Sequence, residues 1–244
     1  MHHDIHSSAV ATCACWAAAF LLGSIPLGHL LARSRLRRDL RRLERGGRRR
    51  APLDLHALLG GGGTGDPATS LPGATEIIGA ALDTAKVVGL ALATLVIVRA
   101  ASPGFHGEVP PSSAVGFVTD QILTLWQSAS LWAGLAAGVG HLWSLWLGFR
   151  SGGQAQAPLL ALAIRFTPAS FVVAVAGYFI GRAAGGPRIG VVVSLVGFVA
   201  WTWAGWLLDL PHWWGFPNGP EVALWSAVLA GVVAAKNAGA EAPA

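Results

Sequence analysis

The sequence predicts an all-α protein, a polytopic integral membrane helical bundle of about six to seven transmembrane helices, and three observations predict it. Hydrophobic residues make up 53% of the 244 positions and charged residues only 12%, against roughly 25% charged in soluble domains. The mean hydropathy is +0.55, and the apolar residues fall in runs that reach or approach the roughly 20 residues needed to cross about 30 Å of hydrocarbon. The stretches between the runs are too short for a separate soluble domain, so residues 1–244 read as one membrane domain.

The first run, Ala9 to Leu31, is almost uncharged and follows no basic segment, which predicts a retained helix with its N-terminus outside rather than a cleaved signal peptide. A basic cytoplasmic insertion at about 34–58 follows, within a first cytoplasmic stretch of 34–72 that ends in the turn-rich Gly60-Gly61-Gly62-Gly63-Thr64-Gly65-Asp66-Pro67. A second helix is expected from about Ala74 to Val98, then an external loop rich in Pro, Ser and Gly at 102–113. Asp83 and Lys86 lie within this second helix, three positions apart and so on one face, where each neutralises a charge that hydrocarbon would make costly. They read equally as a structural ion pair or as the polar wall of a substrate site.

A third helix, about Ile122 to Leu147, ends with Trp143 and Trp146 beside the polar loop 148–156, as interfacial aromatics do. Residues 157–181 are apolar but contain Arg165 and Pro168, which predicts one kinked helix or two short ones. A further helix at about Ile189 to Leu208, a Trp/Pro loop at 209–220, a last helix from about Val222 to Lys236 and a disordered tail at about 238–244 complete the chain.

The residue pattern argues against several functions. Ten of the 17 basic residues are arginines between Arg33 and Arg50; that local cluster fits the positive-inside rule and anionic lipid headgroups, and no aromatics are interleaved with it to stack nucleic-acid bases. Cys13 and Cys15, both inside the first apolar run, lack the partners a zinc site would need. The terminal cluster of His2, His3, Asp4 and His6 has no surrounding shell to orient a metal. A transporter, suggested by Asp83, Lys86 and His141 inside apolar helices, lacks an inverted repeat.

Two glycine-rich loops, Gly60 to Gly65 and Gly148 to Gly153, are expected on one face of the membrane. Without Cβ atoms, successive backbone N–H groups can converge on an anion, which suits a phosphate substrate. Neither loop matches GxxxxGK[ST], so a nucleotide-hydrolysing P-loop is rejected.

The order of four segments carries a resemblance. Leu21-Leu22-Gly23-Ser24-Ile25-Pro26-Leu27-Gly28-His29-Leu30-Leu31-Ala32-Arg33, then Gly63-Thr64-Gly65-Asp66-Pro67-Ala68-Thr69-Ser70, Leu82-Asp83-Thr84-Ala85-Lys86, and Gly140-His141-Leu142-Trp143 with Leu147-Gly148-Phe149-Arg150 and Gly152-Gly153 together resemble the acyl-phosphate-dependent glycerol-3-phosphate acyltransferases, the PlsY family. The resemblance implies a seven-helix enzyme of the bacterial plasma membrane, with no metal and no cofactor, that moves an acyl group from acyl phosphate to glycerol 3-phosphate and gives lysophosphatidate. It implies Ser24, Thr64 and His141 as catalytic positions, and Gly63, Gly65, Thr69, Ser70, Lys86, Arg150, Gly152 and Gly153 as substrate-binding ones.

The chain departs from the family pattern where the chemistry uses charge. Asp66 stands where the family has asparagine, and a carboxylate beside bound phosphate repels it. Gln154 or Gly153 takes the place of the second lysine of GGKG, and the C-terminal HRxNxxRxxxGxE is reduced to Lys236-Asn237-Ala238-Gly239-Ala240-Glu241. Two classes of function follow: an acyltransferase with acyl phosphate and glycerol 3-phosphate as partners, or a catalytically impaired member that binds anionic membrane lipids. Nucleic acid is a partner in neither.

Overall fold

The computed structural model describes residues 2–28, 30–31, 73–101, 123–149, 156–210, 216–217 and 219–239. Those residues form an all-α bundle of seven α-helices, and no β-strand occurs among them. The helices are α1 (His2–Gly23), α2 (Gly73–Ala101), α3 (Leu125–Leu142), α4 (Ala157–Phe166), α5 (Pro168–Gly185), α6 (Pro187–Leu207) and α7 (Pro220–Gly239). A short 3-10 turn, Leu145–Leu147, follows α3.

Helix α3 is the centre of the bundle, with α1, α2, α4 and α7 packed around it. Its start is set by a reciprocal cap, in which the Thr124 hydroxyl accepts from the Gln127 backbone N–H and the Gln127 side chain accepts from the Thr124 N–H. Small residues, Ala129, Ser130, Ala133, Gly134, Ala137, Gly138 and Gly140, fill its buried faces and let neighbouring backbones come close. The approach to α1 is the tightest consequence: a Cβ on Gly23 would run into the Ala137 backbone, and one on Gly140 into the Phe20 carbonyl.

The single span expected over 9–31 is broken in the structure. Helix α1 ends at Gly23, Ile25 N–H turns back to the Leu22 carbonyl, and Pro26 has no N–H to continue the ladder. A new turn then begins, with Leu30 N–H donating to the Pro26 carbonyl. The third helix is also shorter than the expected 122–147: it stops at Leu142, and the chain tightens into the 3-10 turn, with Phe149 at a φ of 59° and its N–H donating to Ser144 O.

Residues 157–181 form two helices. Pro168 cannot donate to the Ile164 carbonyl, the chain breaks at Thr167, and the Phe166 carbonyl accepts instead from Phe216 N–H at 2.9 Å. Gly186, at a φ of 89°, makes the one-residue connection between α5 and α6, which form the most extensively packed helix pair. Helix α7 continues to Gly239, two residues into the stretch expected as a tail.

Three of the described helices are long and apolar enough to cross a membrane: Ile78–Ala101 within α2, α5 and α6; Ala9–Gly23 of α1 and all of α4 are apolar but shorter. Large apolar side chains, including Val172, Phe179, Ile180, Val192 and Val196, point outward from α5 and α6.

Candidate functional site

The break in α1 is held by two charged side chains from α2. Lys86 Nζ donates to the Gly23 carbonyl at 2.8 Å and to the Ile25 carbonyl at 2.5 Å, and it lies 3.2 Å from Asp83 Oδ1. Asp83 in turn accepts from the backbone N–H groups of Leu27 (Oδ1) and Gly28 (Oδ2), each at 3.2 Å. The cation therefore sits on carbonyls where α1 stops, and the carboxylate on N–H groups where the next turn starts, with Leu27 N–H also donating to the Ile25 carbonyl at 3.0 Å; both ends favour this arrangement electrostatically. The expected i,i+3 ion pair is present, and it is also the clamp that stabilises the broken segment.

Helix α3 supplies the third side of the cluster. His141 is 2% exposed, and its Nδ1 lies 3.8 Å from Asp83 Oδ1, beyond hydrogen-bond distance. Neither ring nitrogen has a hydrogen-bond partner. Ser144, just past the end of α3, donates its hydroxyl proton to the Ser24 carbonyl at 2.5 Å. Ser24 is fully buried, and its own hydroxyl donates to the Leu21 carbonyl at 2.6 Å.

The C-terminal end of α7 reaches the same end of the bundle. Lys236 Nζ lies 3.3 Å from the Leu142 carbonyl and 5.8 Å from the Trp143 ring centroid, and Gln156 Nε2 donates to Asn237 Oδ1 at 2.9 Å. At the opposite end, Glu221 in the first turn of α7 accepts from Ser128 and, at 2.7 Å, from Trp132 Nε1. Charged residues thus tie α7 to α3 at both ends.

Of the positions expected in a site, Ser24, Lys86 and His141 come together with Asp83. Lys86, expected to contact substrate, spends its ammonium donors on oxygens of the chain itself. Gly63, Thr64, Gly65, Asp66, Thr69, Ser70, Arg150, Gly152, Gly153 and Gln154 lie outside the described residues. Ser144 and the backbone of 23–28 were missed as participants. The signal available for Ser144 was a lone hydroxyl three positions after His141 in an otherwise apolar run. The described residues contain no group of three or more His, Cys, Asp or Glu side chains able to hold a metal ion, and both cysteines are free. Comparison of the chain with protein families, with curated proteins and with solved structures finds no match.

Proposed function

We propose that this chain is a multi-pass protein of a bacterial plasma membrane that transfers a fatty acyl group from acyl phosphate to the 1-hydroxyl of glycerol 3-phosphate, releasing inorganic phosphate and giving lysophosphatidate. The observation that supports this reading most is the meeting of three separated segments that carry the family resemblance. Gly23 to Gly28, Asp83 with Lys86, and His141 with Ser144 form one buried polar cluster, although Ser24 and Ser144 are 120 positions apart. A chance likeness of short motifs gives no reason for them to converge.

In this reading the clamp holds the end of α1, and the basic and glycine-rich segment that leaves it, at one membrane face. With Lys86 committed to backbone carbonyls, Arg150 is the cation for phosphate in the second loop, helped by the Gly152 and Gly153 N–H groups. The hydroxyls of Thr64, Thr69 and Ser70 serve the first. The outward apolar faces of α5 and α6 support the membrane setting, because apolar faces of that size are matched by lipid and not by water.

A second reading, a non-catalytic protein that binds anionic lipid through the Arg33 to Arg50 cluster, is favoured by the internal commitment of Lys86 and Ser24 and by Asp66 and Gln154. Purified protein in lipid vesicles, given acyl phosphate and radiolabelled glycerol 3-phosphate, separates the two. Labelled lysophosphatidate above the level of protein-free vesicles is the expected result; folded protein that yields none removes the acyltransferase reading.

A further inference from the structure

Three consecutive carbonyls at the α1 break, those of Gly23, Ser24 and Ile25, each accept from a side chain that belongs to another part of the bundle. Lys86 takes the first and the third, and Ser144 takes the middle one at 2.5 Å. We propose that Ser144 is a positioning residue: it latches the entry of the second glycine loop, Leu145–Phe149, to the α1 break and so fixes that loop against the buried cluster of Ser24, Asp83, Lys86 and His141. For its catalytic consequence the inference rests on the acyl transfer proposed above; the latch itself does not.

Ser144 bonds in two directions. Its hydroxyl donates to the Ser24 carbonyl, while its own carbonyl accepts from Leu147 N–H at 3.2 Å and from Phe149 N–H at 2.8 Å. One residue therefore ties the end of α1 to the turn from which the loop leaves. The approach that allows this is built into the helix crossing, because a Cβ on Gly140 would lie 2.3 Å from the Phe20 carbonyl oxygen and 3.1 Å from Ser24 N. Backbone contact at Gly140 brings Ser144, one helical turn further on, against Ser24. Water cannot stand in for the hydroxyl, since Ser144 is 1% exposed and Ser24 is fully buried, and a buried carbonyl that loses its donor there finds no solvent to replace it. On either side of Leu147, Trp146 and Phe149 are exposed, so side-chain packing gives the turn few other anchors. Without the latch the turn can shift relative to the cluster while each part keeps its own fold. Substrate binding then survives and alignment suffers, which lowers kcat more than it raises KM.

Spin labels at Leu30→Cys and Trp146→Cys, both exposed positions, report the spacing in a Cys13→Ser, Cys15→Ser background. The chain with Ser144 intact is expected to give one narrow distance, Ser144→Ala a broadened or shifted one, and Ser144→Thr, which keeps the hydroxyl, the narrow one again. In the acyl-transfer assay, per folded protein, Ser144→Ala is expected to lower kcat about tenfold or more with KM for either substrate within about twofold. Should Ser144→Ala fold poorly, Ser144→Val against Ser144→Thr carries the comparison, since those side chains are alike in shape and differ in the hydroxyl. Equal distance distributions with and without the hydroxyl would overturn the latch, and an unchanged kcat in an active protein would overturn its positioning role. A broadened distribution in a protein that makes no lysophosphatidate keeps the latch and removes the proposed reaction; product formation with an unmoved turn does the reverse.

Discussion

Lys86 and Asp83 show how a pair of charges inside an apolar helix is better understood through the backbone it serves than through its net charge. Breaking a buried ion pair typically costs about 3–5 kcal/mol, because the surviving charge is left without compensation. Removing both charges of an isolated pair is far less harmful. Here both partners also cap backbone groups of the α1 break, and each orphaned group costs about 1–3 kcal/mol. Asp83→Asn and Lys86→Met are therefore expected to lower thermal stability in detergent, with a coupling on the order of 1 kcal/mol or more. The double variant should improve on the worse single one yet remain at least about 2 kcal/mol below wild type. Full recovery in the double variant would reduce the pair to simple neutralisation. The i,i+3 spacing made the ion pair legible in the sequence. Its backbone partners were not, because no local pattern tells which carbonyls a lysine, or which N–H groups an aspartate, will meet 55 to 63 positions away. At the α1–α3 crossing, Gly140→Ala must push α1 away and should cost about 1–3 kcal/mol, whereas Gly231→Ala, with open space around its Cβ position, should leave the melting temperature unchanged or raised.

At the scale of the helix, the sequence revealed the number of apolar runs and hid where two of them break. A run that is apolar on every side has no period to interrupt, so residues 9–31 looked continuous even with Pro26 inside. A proline near the start of a turn is compatible with helix, and it is Lys86 and Asp83 from another helix that turn this one into a stable break. The corresponding test is Pro26→Ala. With the clamp intact, the loss should be only the roughly 0.4–1 kcal/mol that proline saves in unfolded-chain entropy, measured by thermal melting; a collapse of the fold would assign the break to proline alone. Residues 157–181 were more legible, since Pro168 signalled an interruption. The bond from Phe216 N–H that satisfies Phe166 O comes from a loop 50 positions on and decides between a kink and two helices.

For the whole molecule, large apolar side chains stand exposed on α5 and α6 while Trp225, Phe166 and several leucines fill the core, and the low share of charged residues was the sign of that apolar surface in the composition. Orientation follows from the arginines: residues 34–72 and the loop 148–156 are expected in the cytoplasm and 99–120 outside. With that orientation, the contact of Lys236 with the Leu142 carbonyl is expected to put the end of α7 on the same side as the end of α3. In a cysteine-free background, Arg45→Cys and Ala242→Cys should resist an impermeant thiol reagent in intact cells while Ser112→Cys reacts; strong labelling at position 45 would reverse the topology. The phosphate-binding part of the account was legible only as motif order, because its departures from the pattern are single charges; the first glycine loop, and the second beyond Phe149, lie outside the described residues.

Those charges give the most direct test of the account, that the buried cluster serves a phosphate site weakened by Asp66 and by the missing cation at Gln154. Initial rates of lysophosphatidate formation are compared between wild type and Asp66→Asn with Gln154→Lys, in equal amounts of folded protein in the same vesicles, with Arg150→Ala as the loss-of-cation control. The account predicts slow formation by wild type, faster formation by the repaired chain, and none by Arg150→Ala. No product from either of the first two, with the fold and lipid binding retained, would contradict it.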